Sequence, residues 1–302
     1  MTYDSQWIDV RNDVRAALTR RLEETGIPDD VVSRLSCRGR LNRASLFLML
    51  ADPCDGGAQR HVVVGLAVGL EMIHKASVIR DDVEDEDVLR RGFPTEFAIM
   101  GRTGALTLSD VLLSGGLATI FHLAPEAMSQ VLETLVTMSL GQFYDVHRGV
   151  RMRDPFEIAE RKTGSLLALV FWMGAFCSRR SPEDLQLLHH IGLHLGTAFQ
   201  LANDINNVTR DEGRGKNPRS DLLEHRNSSI ALLLNQQIEA GGGTAEVALS
   251  VALKQVRLEV ARRLREAKEL ASRLTDPLPD RIRLLVNSEK NAHEFVSDQQ
   301  WP

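Results

Sequence analysis

Apolar residues recur along most of the chain at intervals of three and four, the spacing that lines one face of an α-helix. This periodicity predicts helices over residues 5–24, 61–86, 104–122, 127–148, 155–178, 183–207, 228–239 and 244–273. Alternation of apolar and polar residues over the length of a strand is absent, so the expected class is all-α, a bundle of long helices. Turn chemistry separates the periodic segments at DPCDGG (52–57), RRGFP (90–94), LAPEA (123–127), SPED (181–184) and GRGKNP (213–218). The most apolar run, Val62 to Ile73, is interrupted by Gly65, Gly69 and Glu71 and is too short to cross a bilayer. It reads as a buried helix, and no transmembrane segment is expected. The mixed charges from Arg257 to Arg273 read as a solvated helix face with i, i+4 pairs.

Composition narrows the class of function. The 302 residues contain no linker-like stretch, so one domain over 1–302 is expected. A net charge of -5 gives no basic footprint for nucleic acid. Cys37, Cys54 and Cys177 lack metal-ligand spacing, and their odd number argues against a disulfide framework. With no apolar signal region at the start, the cytoplasm is the expected compartment. His190 and His194 stand four apart, as zinc ligands can, but no acidic partner accompanies them as in a metalloprotease. With His189 they read as packing or surface histidines.

Two segments carry candidate chemistry. In ASVIRDDVEDEDVLRRGFP (76–94), Asp81, Asp82, Glu84 and Asp85 crowd the end of an apolar helix. Asp81 and Asp85 fall on one helix face, their Cβ atoms about 5–6 Å apart, where two carboxylates can share divalent ions. Arg90 and Arg91 follow directly, and guanidiniums beside an acidic cluster suit a metal-bridged polyphosphate. In FQLANDINNVTRD (199–211), Asn203, Asn207 and Asp211 form an i, i+4, i+8 stripe, with Gln200 a turn upstream and Asp204 beside it. An asparagine carbonyl is a suitable ligand for Mg²⁺, which keeps several waters and leans on substrate phosphates. Local capping by Asn206 and Asn207 is the ordinary alternative.

In order and spacing the chain resembles the trans-isoprenyl diphosphate synthases (polyprenyl synthetases) from about Gly39 to Arg226. The resemblance is carried by GRLNR (39–43), His74 seven residues before DDVED (81–85), RRG (90–92), GQFYD (141–145), KTG (162–164), FQ (199–200) and GKNPRSD (215–221). It implies helices around a deep apolar pocket, usually in a homodimer. It implies that Asp81 and Asp85 hold Mg²⁺ against an allylic diphosphate whose oxygens bind Arg90, Lys162 and Lys216, with Asp82 and Gln200 in the catalytic group. Arg40, Arg43, His74 and Arg91 would grip the diphosphate of the acceptor, normally isopentenyl diphosphate. Thr163 and Arg226 complete the implied substrate contacts, Arg226 and Arg40 standing where the family has lysines. Ala76 and Ser77, five and four residues before Asp81, occupy the place where short-product members carry a bulky aromatic, and their small size implies room for a twenty-carbon chain or longer.

One departure keeps the function open. The second motif is normally DDxxD, whereas this chain reads NDINN, with Asn203 in the place of an Asp that holds a third Mg²⁺. Elongation with isopentenyl diphosphate is one reading. A prenyltransferase of the same fold acting on another phosphorylated acceptor, such as indole-3-glycerol phosphate, is a second. The stripe Asn203, Asn207, Asp211 also resembles the metal triad of class I terpene cyclases, which is a third. A non-catalytic partner subunit is disfavoured by the intact DDVED, RRG and GQFYD segments. In each enzymatic reading an allylic C–O bond ionises, preorganised cations stabilise the departing diphosphate, and an apolar pocket keeps water from the carbocation.

Overall fold

The computed structural model describes residues 3–51, 59–147, 154–209, 228–241 and 244–275, with single positions at 278, 282, 283 and 286. The chain divides into two compact units, residues 1–129 with 176–179, and residues 130–175 with 180–302.

In the first unit, helices α1 (Tyr3–Glu23), α2 (Asp29–Cys37) and α3 (Asn42–Leu50) gather against α4 (Arg60–Glu84), which runs along α5 (Glu96–Leu123). The spacing explains the packing: Val14, Leu18 and Leu22 stand four apart on α1, and all three are fully buried. Burying each such side chain contributes about 1.5–3 kcal/mol. α4 and α5 cross at Gly69 and Gly116, where a Cβ on Gly116 would lie 2.7 Å from the Gly69 carbonyl oxygen. Only glycine permits that approach, and it fixes the direction in which α4 delivers its acidic end. Between α4 and α5 lies a two-residue ribbon, β1 (Leu89–Arg90) antiparallel to β2 (Phe93–Pro94), with Arg90 opposite Phe93. Arg91 (φ 54°) and Gly92 (φ 81°) form its turn, both left-handed as a two-residue hairpin loop requires.

In the second unit, α6 (Met128–Val146, begun in the first) is followed by α7 (Glu157–Ala159), a π-helical turn over Glu160–Gly164, and α8 (Ser165–Cys177). α9 (Pro182–Thr209), α10 (Ser229–Glu239) and α11 (Ala245–Ala271) complete the described elements. α8 is apolar all round, SLLALVFWMGAFC, and Ala168 to Phe171 have no exposed surface, so it forms the centre of this unit. α9 lies along α11 and also meets the π-turn.

The all-α expectation holds, since the ribbon is too short for alternation to register. Two helices, α2 and α3, stand where none was expected. α5 begins at Glu96 rather than 104 because Thr95 caps it, accepting from the Ala98 N–H at 3.1 Å, and non-helical Gly101 (φ 72°, ψ 176°) interrupts it. The expected helix over 155–178 contains the π-turn. The expected turns at 52–57 and 213–218 lie outside the described residues. By length and composition α4 and α5 could each cross a membrane, but 61% of the apolar window in α4 is buried inside the protein, as a core helix would be.

Candidate active site

α4 positions the first set of candidate residues. Its last turn carries Asp81, Asp82 and Glu84, with Asp85 as cap, at the end where the helix dipole disfavours negative charge. Arginines offset this. Arg90 Nε donates to Asp82 Oδ1 at 2.6 Å, and Arg102 pairs with Glu86 at 2.7 Å. Burial raises the Asp82 carboxyl above the usual range even against the pull of Arg90, so Asp82 is a buried anchor for Arg90. An anion would meet the terminal amino groups of Arg90, because its Nε is committed. Asp81 and Asp85 are half-buried, and the Asp85 N–H bonds the Asp81 carbonyl at 2.9 Å, which confirms their shared face.

The GRLNR segment reaches the same helix. Gly39 (φ 98°) brings the chain against α4, where Lys75 Nζ donates to the Arg38 carbonyl at 2.9 Å and pairs with Glu71 at 3.5 Å. Left-handed Leu41 then starts α3, which carries Arg43; Arg40 is half-buried in the loop before it. Arg43 Nη1 donates to His74 Nε2 at 2.8 Å, which makes this imidazole nitrogen an acceptor. Burial, reinforced by Arg43, Lys75, Arg91 and Arg90, holds His74 well below its ordinary range and therefore neutral. Burial also pulls the Arg43 guanidinium down to about 10, with Arg91 adding to the effect and Glu71 and Asp81 opposing it. Arg43 Nε is buried without a hydrogen-bond partner. Arg43, His74, Arg90 and Arg91 thus share one electrostatic neighbourhood beside Asp81 and Asp82. Ala76 is 2% exposed and its carbonyl accepts from Ser109 Oγ at 3.0 Å, while half-buried Ser77 donates to the His74 carbonyl.

The second unit assembles the other set around the π-turn. Lys162 Nζ donates to buried Asp145 of GQFYD at 2.9 Å. Thr163 Oγ1 donates to Gln200 Oε1 at 2.8 Å, and Gln200 Nε2 donates onward to Asp204 Oδ1 at 2.9 Å. Burial pushes the Asp204 carboxyl up to about 7; the Gln200 bond opposes this, the Asp145 charge adds to it and Lys162 opposes it. Asn203 is half-buried and Asn207 exposed near the end of α9. Asp211, Lys216 and Arg226 lie outside the described residues.

Sequence reasoning quoted GQFYD and set Asp204 beside Gln200 without pairing Asp145 with Lys162 or Gln200 with Thr163, partners separated by 17 and 37 residues along the chain. It also read α11 as a solvated face. That reading is corrected at Glu259 and Arg263, which are 8% and 5% exposed because they neutralise each other, with Arg263 Nε 2.7 Å from Glu259. His194 packs beside them, 3.3 Å from Glu266. Burial and the Arg263 charge lower its pKa.

Among the described residues, no three His, Cys, Asp or Glu side chains gather as a preformed metal site. What α4 offers is two carboxylates with hard oxygen donors on one face. This donor set fits a cation such as Mg²⁺ that takes the remainder of its shell from water and substrate phosphate.

A family model described as polyprenyl synthetase matches residues 29–257. The chain belongs to the polyprenyl synthetase family. Among its relatives, a short chain isoprenyl diphosphate synthase of Methanothermobacter thermautotrophicus is 30% identical over 200 residues, covering 63% of this chain and 61% of the relative. A nonaprenyl diphosphate synthase of Mycobacterium tuberculosis is 32% identical over 184 residues, covering 59% of this chain and 55% of the relative. The matched stretches thus span less than two thirds of these synthases. The fold is that of other polyprenyl synthetases. A polyprenyl synthase from Caulobacter crescentus CB15, solved with calcium and isoprenyl diphosphate, superposes with a TM-score of 0.77 at 22% identity, with 98% of each chain covered.

Proposed function

We propose that the protein transfers a prenyl group from an allylic diphosphate of farnesyl or geranylgeranyl size, elongating it with isopentenyl diphosphate. The observation that carries this reading is the gathering of Arg43, Arg90 and Arg91 around neutral His74, beside the Asp81–Asp85 carboxylates. Such an arrangement recognises a diphosphate, and family membership supplies the reaction class. Arg43, oriented by its bond to His74, binds the acceptor phosphates together with Arg40 and Arg91. Lys162 and Thr163, seated on the π-turn, bind the donor diphosphate; Asp145 and Gln200 aim them. Mg²⁺ held by Asp81 and Asp85 would neutralise the charge that develops on the departing diphosphate. The site needs no side-chain nucleophile, because cations fixed before the reaction stabilise charge where it appears.

A second reading rests on NDINN, where amides stand at 203 and 207: the acceptor is a different phosphorylated molecule, such as indole-3-glycerol phosphate. The deciding experiment incubates the protein and Mg²⁺ with geranyl, farnesyl or geranylgeranyl diphosphate and either acceptor, and identifies the products. Elongation is expected with isopentenyl diphosphate. Products formed only with the indole would establish the second reading, and no diphosphate release from any donor would defeat both. We place the protein in the cytoplasm. We also assign self-association to the outward stripe of α6, where Leu132, Val136, Leu140 and Phe143 are 38–60% exposed. Sedimentation of a Val136→Lys variant as a monomer, against a wild-type dimer, is the expected result.

A further inference from the structure

The π-turn over Glu160–Gly164 is an uncommon conformation, and such turns occur mostly at functional sites. It is confined on two sides by glycines. A Cβ on Gly141 of α6 would lie 2.6 Å from the Lys162 backbone nitrogen, and one on Gly196 of α9 would lie 2.9 Å from Gly164 Cα and 3.0 Å from the Thr163 carbonyl oxygen. α11 supplies a further constraint. Arg263 is 5% exposed and spans two carboxylates with different edges of its guanidinium: Nη1 lies 2.5 Å from Glu160, the first residue of the turn, and Nε 2.7 Å from Glu259. Arg263 lies beyond the 29–257 stretch matched by the family model.

We propose that Arg263 is a positioning residue: by holding Glu160, it fixes the π-turn that aims Lys162 and Thr163 at a diphosphate. Arg263 does not itself meet the substrate. Lysine cannot replace it, because an ammonium is a point donor and cannot direct two edges at two carboxylates. The consequence for ligand binding rests on the function proposed above, whereas the hold on the turn does not.

The test compares wild type, Arg263→Lys and Glu160→Gln, after circular dichroism has established that each variant retains wild-type helix content. Two quantities are read: hydrogen exchange of the amides of residues 161–165, and the affinity for magnesium pyrophosphate by titration calorimetry. Both variants are expected to exchange faster at these amides, with α4 unchanged, and to bind pyrophosphate about tenfold more weakly, roughly 1.4 kcal/mol. A double variant no weaker than either single one would show that the two residues act as a unit. Variants that bind pyrophosphate as wild type does overturn the proposal, and faster exchange in that case reduces Arg263 to a packing residue. Failure of wild type itself to bind pyrophosphate defeats the diphosphate reading, and the positioning role with it. Should Arg263→Lys match wild type in both measurements, the two-edge argument is wrong.

Discussion

Gly141→Ala tests how tightly α6 is fitted to the turn that carries Lys162. The added Cβ would lie 2.6 Å from the Lys162 nitrogen, 2.8 Å from Arg161 Cβ and 2.9 Å from Arg161 C. Two of these are backbone atoms, so no flexible side chain can yield. Reaching an ordinary contact of 3.4 Å requires the helix and the turn to separate by 3.4 − 2.6 = 0.8 Å. Overpacking of this kind costs about 1–3 kcal/mol. Alanine recovers about 1 kcal/mol through helix propensity. The net loss is then up to about 2 kcal/mol, or up to about 3 °C in melting temperature for a chain of 302 residues. Displacing Lys162 by most of an ångström should lower turnover by roughly tenfold to a hundredfold, since a misplacement of about 1 Å can cost that much. Gly192→Ala serves as the control. Its Cβ would meet the Leu167 carbonyl oxygen at 2.6 Å, clear of Lys162, so stability should fall without the matching loss of turnover. Calorimetric melting and diphosphate release measure the two effects. A Gly141→Ala protein that melts at or above the wild-type temperature and turns over normally would refute the reasoning.

Asp81→Ala and Asp85→Ala should abolish turnover while leaving the melting temperature unchanged or slightly raised, because each removes a carboxylate from the negative end of a helix; full activity in either would sink the metal-clamp reading. Ala76→Tyr should shorten the product chain, and an unchanged product distribution by mass spectrometry would contradict the placement of Ala76. His74 is held below its ordinary 6.5, so its contribution to stability is complete above about pH 6.5 and is lost as pH falls toward the folded value, where the unfolded chain binds the extra proton. Melting temperatures from pH 7.5 to 5 should fall more steeply in wild type than in His74→Gln, and parallel curves would count against a buried neutral imidazole. Asn203→Asp should raise the rate with isopentenyl diphosphate if the second motif has merely drifted, and lower it if the site is built around a neutral ligand; steady-state rates with both acceptors separate the two.

The long helices were legible because burial selects apolar side chains at helical spacing, as Val14, Leu18 and Leu22 do. α2 and α3 were not, since nine residues hold too few repeats for a period to stand out. The π-turn was invisible for a different reason: one added residue shifts the phase of a helix without altering which residues are apolar. The acidic end of α4 was legible in sequence because Asp81, Asp82 and Asp85 are neighbours in the chain. Lys162–Asp145 and Thr163–Gln200 were not, because tertiary structure alone brings them together, whereas Gln200 and Asp204 are four apart on α9. Arg263 was actively misleading. Charged residues on a long helix are ordinarily solvated, and only pairing with Glu160 and Glu259 allows this one to be buried.

The same contrast bears on why asparagines occupy the second motif. Near Asn203, the described charges already include Asp204 and Asp145, with Lys162 opposing them, and burial has pushed Asp204 up to about 7. Carboxylates at 203 and 207 would add like charges next to a carboxyl that is only about half ionised at neutral pH, and each would raise it further. An amide offers its carbonyl oxygen to a cation without that charge, and it can hydrogen-bond whether Asp204 is protonated or not. α4 resolves its own crowding differently: Asp82 is buried against Arg90, while Asp81 and Asp85 stand half-buried at the helix end. The two motifs are therefore unequal in the electrostatics of their surroundings, and the carboxylates persist where arginines gather beside them.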